Sequence, residues 1–220
     1  LFPLYCPIVG DVNAWVVRTG NTWRRISAGI AWPRGTSCSF GRSRTSAVAE
    51  LRVSVLMCTC NRHELLSGAL QALIEETDEK PDQVVVVNGG DEQADRVVES
   101  YAGRHGVNFK QIKTVNKNLA ASRNVGLLHC AGDIIAMTDD DARVFPDWIT
   151  QIKRAHMDHP EAGAIGGVAL AVDDHQFINR IANYVVFPTL AKAGSVRTVP
   201  GVNCSYKREA LERVGAYDET

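Results

Sequence analysis

Three consecutive aspartates, residues 139–141, directly follow a mostly apolar run, residues 133–138 (DIIAMT). Adjacent carboxylates repel one another unless a cation lies between them, and a divalent metal relieves that repulsion. Mg²⁺ and Mn²⁺ prefer oxygen ligands and take one or two carboxylates, with water and phosphate oxygens completing the shell. The cluster is therefore interpreted as a metal site. The alternative is an acidic cap on a helix expected from about Pro146, which Asp139 lies too far away to cap.

A second polar segment, residues 59–62 (TCNR), follows an earlier apolar run, and Glu64 stands two residues further on. Such a turn could hold a nucleotide base through its backbone groups, with Arg62 near phosphate. Ordinary turn chemistry is the alternative. Cys58 and Cys60 have no second cysteine pair at metal-ligand spacing, so we expect buried or partly buried thiols rather than zinc ligands.

A third segment, residues 116–126 (NKNLAASRNVG), opens the helix that precedes the aspartates. Asn118 is predicted to be the N-cap of this helix, since asparagine favours that position. Arg123 and Asn124 fall in its second turn, from which one face could reach the aspartates. Arg123 would then supply the cation that a pyrophosphate needs. The alternative for Arg123 is an ordinary surface arginine.

Apolar runs and helical spacing alternate from residue 52 onwards. Strands are predicted at 53–58, 83–88, 109–115 (the more exposed one) and 133–138, and helices at 65–74, 95–101 and 119–132, the last stopped by Gly132. This alternation predicts an α/β fold with a parallel, doubly wound sheet. Right-handed crossovers bring the ends of such strands to one carboxyl edge. We therefore expect three loops to meet there: 58–64, 88–91 and 138–141.

The composition excludes several classes of protein. With 45% hydrophobic residues, 22% charged residues and a net charge of −1, the chain has no excess charge that would favour nucleic acid or an anionic membrane as main partner. Six cysteines without the spacing of a small secreted domain favour a reduced, cytosolic compartment. The absence of G-x-G-x-x-G after the first strand and of a P-loop pattern argues against a dinucleotide dehydrogenase and a P-loop NTPase.

The first 51 residues differ from the rest. Residues 1–50 contain six arginines, no lysine and two acidic residues, without helical or strand periodicity. We expect residues 1–51 to be an irregular basic extension, poorly ordered or non-native, in preference to a nucleic-acid-binding arm. Residues 52–220 are expected to be the folded domain. Because the chain starts at Leu1 and stops at Thr220 without a closing element, we expect a fragment that lacks its C-terminal part.

The motifs in this order resemble those of the family 2 glycosyltransferases, which have the GT-A fold. Five segments carry the resemblance: 58–62 (CTCNR), 86–91 (VVNGGD), 118–126 (NLAASRNVG), 132–141 (GDIIAMTDDD) and 201–219 (GVNCSYKREALERVGAYDE). The resemblance covers residues 53–219 and implies a Rossmann-like, mostly parallel sheet with helices on both faces.

The resemblance implies transfer of a sugar, with inversion, from a nucleotide-sugar such as a UDP-sugar to an acceptor hydroxyl, assisted by Mn²⁺ or Mg²⁺. Implied acceptors are a cell-envelope polysaccharide, a lipid-linked glycan or a protein. No nucleic acid beyond the nucleotide is expected. Peripheral association with the inner face of the cytoplasmic membrane is a further expectation. Two alternatives stay open: a nucleotidyltransferase, which would want a glycine-rich basic loop after the first strand, and a non-catalytic nucleotide-sugar-binding module.

The resemblance also implies roles for individual residues. In the family a proline often stands five residues after the second acid of D-x-D, and Pro146 stands five after Asp141. This register selects Asp139 and Asp141, with Asp141 as the main metal ligand and Asp139 also on the ribose or uracil side. The implied nucleotide-sugar-binding residues are Thr59, Asn61, Arg62, Glu64, Asn88, Asn118, Arg123, Asn124, Asp139 and Asp140.

Two further implications concern the base and the acceptor. The base-reading acid of the family falls at Val87 or Asn88, depending on one gap in the match, and Asn88 would read a base edge in a different way. Gly201 and Asn203 are expected on the acceptor side. The catalytic base of the family is an acidic residue expected beyond Thr220, so neither Asp218 nor Glu219 is assigned that role.

Overall fold

The computed structural model describes residues 51–115, 118–171 and 199–220. It also describes three short strands outside these ranges: β1 (Leu4–Cys6), β2 (Trp15–Val16) and β10 (Gly194–Ser195). Most of the predicted extension, residues 1–51, therefore lies outside the described residues. Its boundary with the folded domain stays a prediction.

The remaining strands belong to the two sheets of the structure. They are β3 (Val53–Thr59), β4 (Gln83–Asn88), β5 (Asn108–Lys113), β6 (Ile134–Met137), β7 (Ala142–Val144), β8 (Ala164–Gly166), β9 (Leu170–Ala171) and β11 (Cys204–Lys207). The large sheet has the order β10-β2-β8-β11-β6-β3-β4-β5, and a small second sheet has the order β7-β1-β9. β6, β3, β4 and β5 run parallel, whereas β11 runs antiparallel to both β6 and β8.

Five α-helices connect these strands within the described ranges. They are α1 (His63–Gln71), which continues into a π-helical turn (Ala72–Glu76), α2 (Glu92–Tyr101), α3 (Leu119–Leu127), α4 (Trp148–Asp158) and α5 (Arg208–Val214). A single 3₁₀ turn, Arg104–Gly106, precedes β5. None of the helices that the structure describes has both the length and the apolar character needed to cross a bilayer.

Side chains of the central strands alternate between two apolar cores, one on each face of the sheet. Val55 and Met57 of β3 pack with residues of α1, α2 and α4, whereas Leu56 packs on the other face with Leu127 of α3 and Leu211 of α5. Successive side chains of a strand point to opposite faces, so a strand buried on both faces must be apolar throughout. The predicted α/β fold, a mostly parallel sheet with helices on both faces, is confirmed.

The predicted end of α3 is wrong. The helix ends at Leu127, and the backbone N–H of His129 donates to the carbonyl of Gly126 in a tight closing turn. Gly132 lies beyond the helix and packs against β3, where a Cβ atom would stand 2.5 Å from the Ser54 nitrogen. The apolar pattern continues past Leu127 because Cys130 of this turn is buried in the same core as Leu56 of β3, so the prediction from periodicity extended the helix too far.

Candidate active site

The loops after β3 and β4 meet at the carboxyl edge of the sheet. The Asn61 side-chain oxygen accepts the backbone N–H of Asp91 at 2.9 Å, and a Cβ on Gly90 would stand 2.4 Å from the Asn61 nitrogen. Asn61 has φ +55°, a left-handed conformation that asparagine tolerates better than most residues. Asn61 therefore joins the two loops, and the predicted convergence of loop ends is confirmed here.

Arg62 connects the loop after β3 to two of the three aspartates. Its Nε lies 3.1 Å from Asp140 Oδ2, its Nη2 lies 2.5 Å from Asp140 Oδ1, and its Nη1 lies 3.1 Å from Asp141 Oδ2. The Asp140 side chain is fully buried, whereas that of Arg62 is 37% exposed. The guanidinium of Arg62 is thus the cation that compensates this side of the acidic cluster.

Arg123 holds the third aspartate from the opposite side. Its Nη2 lies 3.3 Å from Asp139 Oδ1 and donates to the Gly201 carbonyl at 3.2 Å. Its guanidinium also lies over the ring of Tyr217, 5.8 Å from the ring centroid. Only 15% of the Arg123 side chain is exposed. The structure therefore excludes the alternative that Arg123 is an ordinary surface arginine.

The electrostatics of the cluster favour a further cation. Burial raises the pKa of Asp139 and of Asp140, although Arg123 lowers the first and the Thr59 hydroxyl and Arg62 lower the second. Three carboxylates face two guanidinium groups, which leaves negative charge uncompensated. This is the condition that a divalent metal would relieve.

The exposure of the aspartates limits which of them could bind a metal. The side chains of Asp139 and Asp141 are 32% and 19% exposed, whereas that of Asp140 is fully buried. No group of three or more His, Cys, Asp or Glu side chains within the described ranges could hold a metal by itself. A site with one or two carboxylates, completed by water and phosphate oxygens, is the kind that Mg²⁺ and Mn²⁺ use. The residues present fit such a metal.

The side chain of Asn88 is fully hydrogen-bonded to the loop after β4 and to the helix that follows it. It is fully buried, its Nδ2 donates to the Asp91 carbonyl at 2.7 Å and to Asp95 Oδ1 at 2.6 Å, and its Oδ1 accepts the Gly90 N–H at 2.8 Å. A base would have to replace these bonds in order to contact it. Of the other predicted residues here, Thr59 is buried at the end of β3, and Glu64 is exposed in the first turn of α1.

Asp95 is a polar residue of this edge that sequence reasoning missed. It accepts hydrogen bonds from the side chains of Asn88, Gln111 and Lys113. Burial would raise the pKa of Asp95, but these donors outweigh burial and hold it below its usual value. No local pattern marks it, because its partners lie on two different strands.

Asn118 and Asn124 turn towards the C-terminal residues. Asn118 is the N-cap of α3, as predicted, and its Oδ1 accepts the Ala121 N–H at 2.8 Å. Its Nδ2 donates to the Glu219 carbonyl at 3.1 Å. Asn124 is buried and hydrogen-bonds to the backbone of Tyr217 and to the side chain of Glu219. Direct nucleotide contact by either asparagine stays a prediction.

The two residues predicted on the acceptor side have different surroundings. Gly201 offers its carbonyl to Arg123, and a Cβ at this position would stand 2.9 Å from the Arg123 guanidinium. Asn203 is buried, with its Oδ1 accepting Trp148 Nε1–H at 2.9 Å and its Nδ2 donating to the Val168 carbonyl at 2.8 Å. Asn203 therefore holds the strand and helix beneath the loop, and an acceptor contact through its amide stays a prediction.

The cysteines near the site are thiols. Cys58 and Cys60 are half-buried thiols, as expected. Burial raises the pKa of the Cys58 thiol to about 12, so it is neutral near pH 7. It is therefore neither a nucleophile nor a zinc ligand in this state.

Residues 54–215 match the family model described as "Glycosyl transferase family 2". This match covers well over half of the 220 residues, and the chain belongs to glycosyl transferase family 2. The chain is 30% identical over 177 residues to a glucosyl-dolichyl phosphate glucuronosyltransferase of Haloferax volcanii. That alignment covers 76% of this chain and 56% of the relative, so the chain spans about half the length of that protein.

Solved structures show the same fold. A mannosyltransferase from Pyrobaculum calidifontis, in complex with GDP-Man and Mn²⁺, superposes with a TM-score of 0.61 at 26% identity, over 78% of this chain and 49% of that one. Staphylococcus aureus TarS in complex with UDP-GlcNAc superposes with a TM-score of 0.51 at 21% identity, over 74% of this chain and 47% of that one. The likeness to TarS shows the fold alone.

Proposed function

We propose that this domain transfers a sugar from a nucleotide-sugar to the hydroxyl of an acceptor. The observation that carries the proposal is the acidic cluster at the carboxyl edge of the sheet, where Arg62 and Arg123 approach it from two different elements. Carboxylates for a metal and guanidinium groups for phosphate are the parts that a nucleoside diphosphate leaving group requires. The complex of the Pyrobaculum mannosyltransferase with GDP-Man and Mn²⁺ supports this proposal.

Asp141 and Asp139 would hold Mn²⁺ or Mg²⁺ in this site. The metal, when bound, supplies positive charge to the diphosphate as it departs. Arg62 and Arg123 already lie beside these carboxylates and would pair with phosphate oxygens from either side. Buried Asp140 would act on the donor through Arg62, and Thr59 is buried at the end of β3. UDP as the nucleotide is proposed on the resemblance of the motifs.

Inversion at the anomeric carbon requires attack from the face opposite the leaving group. The acceptor oxygen would form a bond to C1 while the bond from C1 to the diphosphate oxygen breaks, and a carboxylate would take the hydroxyl proton. Asp218 is exposed and bonded to Thr220, and Glu219 accepts from Asn124. Neither is proposed as that carboxylate, which we expect after residue 220.

The acceptor is proposed to be a lipid-linked glycan. The name of the Haloferax relative, glucosyl-dolichyl phosphate glucuronosyltransferase, supports this choice over a polysaccharide or protein acceptor. Peripheral association with the inner face of the membrane would bring the site to such an acceptor, and it stays a prediction.

The metal assignment is tested with Asp141→Asn. The change removes one carboxylate charge without altering shape, so we expect it to abolish Mn²⁺-dependent binding of UDP-sugar, measured by titration calorimetry, while the circular dichroism spectrum is unchanged. Asp158→Asn, in an exposed pair with Arg154 on α4, is the matched control and should bind as the wild type does. Mn²⁺-dependent binding that survived Asp141→Asn would overturn the assignment. Release of UDP without any glycosylated product from the full-length protein would contradict the transfer itself.

A further inference from the structure

An ion pair between Asp95 and Lys113 lies at the carboxyl edge of the sheet, beside the end of β4. Lys113 is the last residue of β5 and stands opposite Asn88 in the parallel pairing of β4 with β5. Its Nζ lies 3.1 Å from Asp95 Oδ2. The backbone N–H of the next residue, Thr114, donates to the Asn88 carbonyl at 2.9 Å. The chain at Lys113 is therefore fixed next to the loop that follows β4.

The two carboxylate oxygens of Asp95 have different partners. Oδ1 accepts hydrogen bonds from the side-chain amides of Gln111 and of Asn88, the latter at 2.6 Å. Within the described residues, Oδ2 accepts from Lys113. A carboxylate can accept about four hydrogen bonds, so Oδ2 can take one more beside the ammonium. The side chain of Asp95 is 16% exposed and that of Lys113 is 55% exposed, so a ligand can approach this pair.

Both groups of the pair are charged near neutral pH. Burial would raise the pKa of Asp95, but the hydrogen bonds from Asn88 and Lys113 hold it below its usual value. The hydrogen bond to Asp95 raises the pKa of Lys113 above its usual value. A carboxylate only accepts hydrogen bonds and an ammonium only donates them. The pair therefore presents a hydrogen-bond acceptor next to a donor.

The distance from this pair to the acidic cluster suits a nucleotide. Residues 139–141 follow β6, and the strand order β6-β3-β4-β5 puts three strand spacings, about 14 Å, between them and Lys113. An extended nucleoside diphosphate, with a metal at one end and a hydrogen bond at the other, spans such a length. Asn88 is fully buried and its amide is already bonded. The edge of the base would therefore meet Asp95 and Lys113 before Asn88.

We propose that Asp95 and Lys113 read the base of the nucleotide-sugar and select uracil or guanine, the bases that present a carbonyl next to a ring N–H. The Asp95 carboxylate accepts that ring N–H, and the Lys113 ammonium donates to the neighbouring carbonyl oxygen. Cytosine and adenine present an amino group next to a ring nitrogen that accepts, so each would face a like group. This inference rests on the proposed function, which places a nucleoside diphosphate in the site.

The first experiment compares four nucleoside diphosphates. Their binding to the full-length protein in saturating Mn²⁺ is measured by titration calorimetry. UDP and GDP should bind at least about tenfold more tightly than CDP and ADP, because a matched donor and acceptor discriminate between bases by about that factor. The tighter of UDP and GDP identifies the base. Equal affinity for all four ligands, or a preference for CDP or ADP, would overturn the proposal.

Asp95→Asn tests the acceptor of the pair. Asn88 and Gln111 donate to Oδ1, so the new amide keeps its oxygen on that side and places its NH₂ where Oδ2 accepted. This NH₂ opposes a ring N–H and suits a ring nitrogen that accepts. We expect the Kd for UDP and for GDP to rise about tenfold and the preference over CDP and ADP to disappear. An equal loss of affinity for all four would contradict the proposal, because it would mean that Asp95 only ties α2 to β5.

Lys113→Met tests the donor and covers the case in which Asp95→Asn does not fold, since Lys113 is an exposed residue. The preference for UDP and GDP should again fall about tenfold. Lys110→Met is the matched control, because Lys110 is an exposed lysine on the opposite face of the same strand. It should keep the preference of the wild type. A preference unchanged in Lys113→Met would overturn the proposal.

Failure of this inference and failure of the proposed function give different results. A wild-type protein that prefers UDP or GDP but forms no glycosylated product would contradict transfer and support the reading of the base. Transfer from UDP-, GDP-, CDP- and ADP-sugars with equal kcat/KM would contradict the reading of the base and support transfer.

Discussion

Arg62 and Asp140 form an ion pair at the ends of two neighbouring parallel strands, with Nη2 2.5 Å from Oδ1. The same guanidinium reaches Asp141, the aspartate proposed to bind a metal, through Nη1. A buried carboxylate is costly unless it is paired, so Arg62 stabilises the acidic cluster without a metal. Arg62 also pairs with Asp141 Oδ2, an oxygen that would coordinate the proposed metal.

Replacing Arg62 should therefore have opposite effects on two ligands. In Arg62→Met, Mn²⁺ alone should bind about fivefold more tightly, since the positive guanidinium no longer competes with the metal for the Asp141 carboxylate. UDP-sugar in saturating Mn²⁺ should bind about tenfold more weakly, because a charge-assisted contact to phosphate is lost. Free Mn²⁺ measured by electron paramagnetic resonance, and calorimetry with UDP-sugar, report the two affinities.

The control for this pair of measurements is Arg154→Met, which removes an exposed arginine on α4 and should alter neither affinity. Weaker binding of Mn²⁺ alone in Arg62→Met would contradict competition. It would mean instead that Arg62 holds Asp141 in the orientation that binds the metal.

Two glycines in helices should respond in opposite ways to the same substitution. A Cβ at Gly126 of α3 would stand 2.2 Å from Leu56 Cδ1 and 2.9 Å from Val87 Cγ2, whereas the nearest atom to a Cβ at Gly68 of α1 is 3.8 Å away. Gly126→Ala should lower the free energy of unfolding by about 1–3 kcal/mol through overpacking. Gly68→Ala should raise it by about 0.5–1 kcal/mol, because alanine loses less backbone entropy in a helix.

Urea denaturation of the two glycine variants and the wild type provides the measurement. Equal effects of the two changes would show that α3 can move away from the sheet without cost. In either case the added Cβ at Gly126 displaces α3 and with it Arg123. Gly126→Ala should therefore weaken donor binding, whereas Gly68→Ala should not.

His156 predicts a dependence of stability on pH. It is buried in α4, with Nε2 3.0 Å from Ser205 Oγ. Burial, assisted by the charge of Lys207, lowers the pKa of His156 to about 3. Between pH 6.5 and 3 the unfolded chain therefore binds the proton that the folded chain excludes, and stability falls as the pH falls through this window. At pH 5 the loss through this one residue should be about 2 kcal/mol.

His156→Gln keeps a side-chain N–H near Ser205 but removes the titration. The fall in the free energy of unfolding from pH 7.5 to pH 5, measured in urea, should be about 2 kcal/mol smaller in this variant than in the wild type. His159→Gln, just after the same helix and partly exposed, should keep the dependence of the wild type. The same fall in all three proteins would show that His156 is protonated inside the fold.

Much of the architecture could be predicted because it depends on local patterns. β3 and β4 are continuous apolar runs bounded by polar turns, and their observed limits agree with the prediction to within a residue. Asn118 caps α3 as its residue type and position indicate. The end of α3 could not be predicted, because the apolar pattern after Leu127 includes Cys130, which is buried for a tertiary reason in the core that contains Leu56 of β3.

The sequence alone determined which residue types follow each buried strand, and topology then required those residues to meet at one edge of the sheet. It did not determine the partner of each side chain. The amides of Asn88, Asn124 and Asn203 were equally suited to a ligand, yet each is bonded to the protein itself. An amide carries a donor and an acceptor that any nearby polar group can satisfy. Only the tertiary structure decided the partners of Asn124 and Asn203, because Tyr217 and Trp148 are distant in the chain and packing brings them within 3 Å. Asn88 bonds within its own loop, and the conformation of that loop decided its partner.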